Sequence, residues 1–154
     1  MIGGPGAGTG RIVVGVDGSA HSEQALRWAA SLAAAFGARL EAVTAWDVPT
    51  SYGFASVPPD WDPAGDMRKV LDETVRAVFG DQPPPGLHRQ VREGGAAKVL
   101  IEASQGAIML VVGSRGHGGF AGLLLGSVSS NVAEHAPCPV LVIHGDQVPP
   151  APSA

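Results

Sequence analysis

Lysine is nearly missing from this chain: Lys69 and Lys98 stand against eight arginines and 14 acidic residues in a length of 154. With a net charge of −4 and no cluster of positive side chains, the sequence lacks the electrostatic footprint of a nucleic-acid binder. Cysteine is scarcer still. The single Cys138 cannot close an internal disulfide, which points to a reducing compartment and an inert, buried thiol. Aromatic residues make up only 5%, and Trp28, Trp46 and Trp61 are not interleaved with basic residues, so they read as core or loop anchors and not as a base-stacking platform. No apolar run approaches the roughly 20 residues of a membrane span. The Gly-rich start has neither the cationic beginning nor the apolar centre of a signal peptide. No membrane contact is expected, and the location is expected to be cytoplasmic. His21, His88, His135 and His144 fall on separate elements without a partner at zinc spacing, which argues against a structural metal.

What is present is a strict alternation of strand and helix signals, in a length that suits one domain. Ile12 to Val16 is an apolar strand ending at Asp17-Gly18-Ser19, where Ser19 can cap the following helix. Ala25, Leu26, Ala29, Leu32, Ala33 and Phe36 recur at helical spacing, and Gly37 sits where a helix stop belongs. Leu40 to Trp46 is the second strand. The proline-broken segment from Asp47 to Pro63 reads as a long surface loop, and a helix with apolar positions from Met67 to Val78 follows, stopped by Gly80 and three prolines. Leu87 to Val91 forms a third strand, and a helix runs from near Gly95 to Gly106. Ile108 to Val112 is the fourth strand, followed by a helix from Ser127 to about His135 and a last strand at Val140 to Ile143.

Five strands separated by four helical stretches require a parallel sheet covered on both faces, because each right-handed crossover is long. The fold class is therefore a doubly wound α/β sandwich. Ligands of such sheets bind beyond the carboxyl ends of the strands, where the strand order reverses. If strands four and five return on the far side of strand one, Asp17 and Gly113 face each other across that crevice.

The stretch from Gly113 to Ser127 carries the chemistry. It reads Gly-Ser-Arg-Gly, nine further residues, then Gly-Ser, directly behind the apolar strand. Glycines let the backbone approach a ligand closely, and the N–H groups opening the next helix attract anions, so the pattern outlines a phosphate cradle. Asp17, at a strand tip near such phosphates, either holds a divalent ion, accepts ribose hydroxyls, or simply turns the chain. There is no Gly-Lys-[Ser/Thr] pair, and no arginine finger or water-positioning residue is evident, so binding without fast turnover follows. The Gly-rich residues 3–10 precede a strand instead of following one, the wrong context for a dinucleotide fingerprint. These residues and the proline-rich end are read as disordered.

Val111-Val112-Gly113-Ser114-Arg115-Gly116, the nine-residue spacer, Gly126-Ser127-Val128-Ser129, the ending Pro137 to Ile143 and the start Val13 to Ser19 together resemble the universal stress protein family, in particular its ATP-binding branch. The similarity runs over residues 11–144 and leaves residues 1–10 and 145–154 outside as an arm and a tail. It implies an adenine nucleotide alpha hydrolase-like fold with a five-stranded sheet of order 3-2-1-4-5. The nucleotide-binding set it implies is Gly15, Val16, Asp17, Ala45, Gly113, Arg115, Gly116, Gly126, Ser127, Val128 and Ser129. In that set the motif glycines and Ser127 cradle phosphates, Ser129 adds a hydroxyl, Ala45 offers its main chain to adenine, and Gly15 and Val16 form the floor. The implied ligand is ATP with Mg²⁺ or Mn²⁺, Asp17 meeting the metal directly or through water. Arg115 and His117 occupy variable positions of the motif: Arg115 either meets a phosphate or is solvated, and His117 is either simply exposed or a phospho-acceptor or base. The resemblance further implies a regulatory protein of the stress response that pairs as a homodimer through the apolar edge strand Val140 to Ile143. Slow ATP hydrolysis, autophosphorylation, and an interaction module holding AMP or a cyclic nucleotide are the alternatives.

Overall fold

Side chains alternate across a strand, so an apolar run with no polar interruption has to be covered on both faces. The computed structural model, which describes residues 10–48, 60–115, 125–146 and 148–150, shows how that cover is supplied. The strands are β1 (Arg11–Gly15), β2 (Arg39–Trp46), β3 (His88–Glu93), β4 (Met109–Gly113) and β5 (Val140–Ile143). Between them run α1 (Ala20–Phe36), α2 (Pro63–Phe79), α3 (Ala96–Ala103) and α4 (Ser127–His135). All four strand pairings are parallel and the sheet order is β3-β2-β1-β4-β5, the doubly wound arrangement expected from the alternation.

Neighbouring residues of one strand serve different layers. Ile12 and Val14 of β1 join Leu40, Ala42 and Val111 beneath α1 and α2, where Ala25, Leu26, Ala29, Leu71 and Val75 close the layer. Val13, Val43, Leu110 and Val112 point the other way, beneath Val99, Leu100 and Ala103 of α3 and Val132 of α4. The alanine stripe of α1 is thus core, and it lets that helix lie close to the sheet. Cys138 is free and half-buried against the second layer.

The helix ends follow from local chemistry. Ser19 caps α1 by accepting from the Ser22 amide, and Gly37 stops it in the left-handed conformation at φ 64°. At α2 the sequence expectation was too short. Pro63 does not end the preceding loop but occupies the first helical turn, where its missing N–H has no intrahelical duty, and Asp62 caps the helix by accepting from the Gly65 amide. The third strand also runs two residues past Val91, because Arg92 and Glu93 keep pairing with Ala45 and Trp46. No helix among the described residues is long and apolar enough to cross a membrane. The expected arm and tail fall mostly on residues 1–9 and 151–154; they, residues 49–59 of the long loop, and Gly116 and His117 lie outside the described residues.

Candidate functional site

β1 lies between β2, with α1 and α2 on one side of the sheet, and β4, whose connections run to the opposite edge. The chain therefore diverges at the carboxyl ends of β1 and β4. A cavity of about 310 Å³ opens at that point. Gly15, Val16 and Asp17 enter it from the end of β1, Ala45 from β2, and Val112, Gly113 and Arg115 from β4. Gly126, Ser127, Val128 and Ser129 close it from the start of α4. The structure thus gathers ten of the eleven positions singled out from sequence around one cavity, and the eleventh, Gly116, lies outside the described residues.

The cavity has two chemically distinct ends. Ala45, Ala96, Leu100 and Val112 form an apolar wall, whereas Asp17, Ser22, Arg115 and the α4 start present polar groups. Val112, Ser22, Ala96 and Leu100 line the cavity as well but were not among the eleven. Val112 precedes the motif glycine on β4; the other three belong to α1 and α3, whose approach to the cavity depends on how the helices cross the sheet and leaves no local motif.

Of the three helices that reach the cavity, α3 and α4 differ from α1 at their first residues. α1 and α2 have side-chain caps, but the N-caps of α3 and α4 are Gly95 and Gly126, neither of which supplies a side-chain hydrogen bond. The early N–H groups of a helix have no intrahelical acceptor. Ser130 donates back to the Gly126 carbonyl at 3.0 Å, so among the described residues the amides of Ser127, Val128 and Ser129 have no intrahelical acceptor and can meet an anion. Gly126 itself donates to the Ser114 carbonyl at 2.7 Å, and Ser114 to the Ile143 carbonyl at 2.8 Å, which ties the α4 start to the β4 and β5 ends.

Two side chains carry tasks beyond those read from sequence. Ser129, only 4% exposed, donates its hydroxyl to the Gly113 carbonyl at 2.5 Å, so its proton is engaged in holding α4 on β4. Asp17 is exposed, and its Oδ1 accepts from the Ser19 amide at 2.9 Å and hydroxyl at 2.5 Å.

A metal held by protein groups alone needs several donors. Among the described residues no group of three or more His, Cys, Asp and Glu is placed to hold one, and Asp17 is the one carboxylate lining the cavity. That donor set fits a hard divalent ion that is carried mainly by phosphate oxygens and water, with one carboxylate beside it.

Comparison with known proteins places this geometry. A universal stress protein of Mycolicibacterium smegmatis is 36% identical over 137 residues, covering 86% of this chain and 45% of that protein. The chain spans about half the length of the mycobacterial relatives it matches. A universal stress protein solved in complex with cAMP superposes with a TM-score of 0.67 at 29% identity, covering 88% of this chain and 97% of the other. The universal stress protein of Archaeoglobus fulgidus in complex with dAMP gives a TM-score of 0.58 at 25% identity, covering 86% of this chain and 96% of that one. The model of the universal stress protein family matches residues 8–144, and with that extent of agreement the chain belongs to the universal stress protein family.

Proposed function

We propose that the cavity at the ends of β1 and β4 binds an adenine nucleotide, and that the protein is a regulatory nucleotide-binding member of its family acting in the stress response. The observation that carries this reading is the convergence of two helix starts without side-chain caps on one cavity with an apolar wall. A base is taken up against Ala45, Ala96 and Leu100, while phosphates meet the amides of Ser127 to Ser129. Gly113, Gly116 and Gly126 belong to that cradle, and Gly15 and Val16 to its floor. Ser127 and Arg115 supply a hydroxyl and a cation toward the phosphates. ATP accompanied by Mg²⁺ or Mn²⁺ is the proposed ligand, with Asp17 beside the metal directly or through water.

Turnover is at most slow, since neither a motif lysine nor a water-positioning residue is evident in the sequence. The complexes of two relatives with cAMP and dAMP favour a second reading, in which a shorter or cyclic adenine nucleotide occupies the cavity. Nucleotide occupancy in either case changes a surface seen by a protein partner. The apolar edge at Val140 to Ile143 supports a homodimer, and the acidic balance supports neither nucleic acid nor membrane as a partner. The proposed location is cytoplasmic.

The test is to denature the purified protein, identify any released nucleotide by chromatography, and titrate refilled or empty protein with ATP, ADP, AMP and cAMP. Release or binding of ATP supports the first reading. Binding of AMP or cAMP alone selects the second, and binding of none overturns both.

A further inference from the structure

Asp17 reaches the cavity from a closed ring of hydrogen bonds. The Ser19 amide and hydroxyl both donate to Asp17 Oδ1, at 2.9 Å and 2.5 Å. The Ser19 Oγ accepts in turn from the Ser22 amide at 3.2 Å, which is the capping bond of α1. The Ser22 hydroxyl donates to the Ser19 carbonyl at 3.0 Å and accepts from the Asp17 amide at 3.3 Å, closing the ring. Ser19 is 8% exposed and Ser22 4%, so water does not compete for these bonds, although Asp17 itself is exposed.

Capping alone does not call for a hydroxyl at position 19. A cap needs an acceptor, and Asn or Asp supplies one as well as Ser does. At α2 the cap is a carboxylate, Asp62, which accepts from the Gly65 amide. What a carboxylate at position 19 cannot do is donate to Asp17. The Ser19 hydroxyl does both: its oxygen accepts from α1 while its proton goes to the carboxylate in a short, charge-assisted bond. Two bonds donated to one carboxylate oxygen favour one side-chain orientation, and a preset orientation lowers the entropic loss on meeting a ligand.

We propose that Ser19, which does not itself line the cavity, is a positioning residue that holds the Asp17 carboxylate in the orientation that meets the bound nucleotide. The proposal rests on the nucleotide-binding reading above. It makes a specific statement about coupling: Ser19 affects affinity only through Asp17, whereas its capping role affects stability whether or not Asp17 is charged.

A double-mutant cycle separates the two roles. Ser19→Ala, Asp17→Ala and the double variant are titrated calorimetrically with ATP in the presence of Mg²⁺, or with AMP or cAMP if the wild type takes only those, and Tm is recorded for each. Ser19→Ala is expected to weaken binding at least about tenfold in the wild-type background and less than about twofold in the Asp17→Ala background, which has no side-chain acceptor left to orient. Ser19→Thr, which keeps both donor and acceptor, restores the affinity. Tm still falls when residue 17 has no carboxylate, because the capping bond from the Ser22 amide is lost in both backgrounds. Where Ser19→Ala does not fold, Ser19→Gly, the milder change at a cap, takes its place. An equal loss of affinity in both backgrounds, or no loss in either, overturns the positioning role while leaving nucleotide binding intact. A wild type that binds none of the nucleotides overturns the underlying reading, and the proposal with it.

Discussion

Gly113 packs directly on the main chain of His21: a Cβ built at position 113 would lie 2.7 Å from the His21 Cβ and 2.8 Å from its carbonyl carbon and oxygen. The carbonyl atoms are backbone of the first turn of α1 and the Cβ is fixed to it, so none of them can move without lifting the helix from the sheet. The glycine that the sequence offers as part of a phosphate cradle is therefore required first by packing.

Gly113→Ala should accordingly destabilise the protein with no ligand present, by about 1–3 kcal/mol, the usual range for overpacking. Gly15→Ala is the comparison, because its Cβ would meet Leu100 Cδ1 at 2.8 Å, the far end of a side chain that can turn aside. Thermal melts of the nucleotide-free variants check this, with Gly113→Ala melting several degrees below Gly15→Ala. Equal midpoints would show that α1 yields at His21.

Thr44 is 1% exposed, and its hydroxyl has no hydrogen-bond partner among the described residues. A buried hydroxyl without a partner retains its desolvation penalty. Thr44→Val keeps the shape and is predicted to stabilise the protein by about 1 kcal/mol. Urea unfolding should give a higher midpoint at unchanged slope. A lower midpoint would mean that the hydroxyl finds a partner.

Arg11 holds three groups together. Its guanidinium donates to the Ala103 carbonyl at 2.6 Å and to the Gln105 carbonyl at the end of α3, and lies 3.6 Å from the Glu41 carboxylate. Glu41 is 7% exposed, so Arg11→Met leaves an acid buried without its cation, a change that costs on the order of 3 kcal/mol. Adding Glu41→Leu should recover most of that loss. Chemical denaturation of the single and double variants decides it, and a double variant no more stable than Arg11→Met would contradict the pairing.

The two sheet edges differ in chemistry. β3 presents His88, Arg89, Arg92 and Glu93, whereas β5, the opposite edge strand, is Val140-Leu141-Val142-Ile143 behind Pro139, with no charged residue. Charged edges resist strand pairing and apolar ones invite it. For the proposed homodimer, Val142→Lys should give monomers in sedimentation equilibrium, and an unchanged dimer would place the interface elsewhere.

The fold was legible because each apolar run had one period and one punctuation mark: Gly37 after α1 and Gly126 before α4 stand where the structure ends and begins those helices. The cavity was legible where the chain itself turns into it, at Asp17, Gly113 and Gly126. Ser22, Ala96 and Leu100 were not, because helices bring them there across the sheet. Pro63 misled because the same missing N–H that breaks a helix interior is harmless in its first turn. The Arg11–Glu41 pair was hidden for a related reason: the two charges lie 30 positions apart and meet only through the pairing of β1 with β2.

Gly126 offers the most direct test of the central claim, that the start of α4 receives the phosphates. Its backbone, at φ −71° and ψ 167°, is open to any residue, and it caps α4 without a side chain. Gly126→Asp supplies that side chain, offering an acceptor to the first amides of α4 and putting a negative charge where the phosphates are proposed to sit. Thermal melts and nucleotide titrations of this one variant are therefore expected to diverge: Tm unchanged or raised, and adenine nucleotide affinity lowered by a hundredfold or more, on the order of 3 kcal/mol. A variant that binds nucleotide as the wild type does would show that the phosphates are held elsewhere.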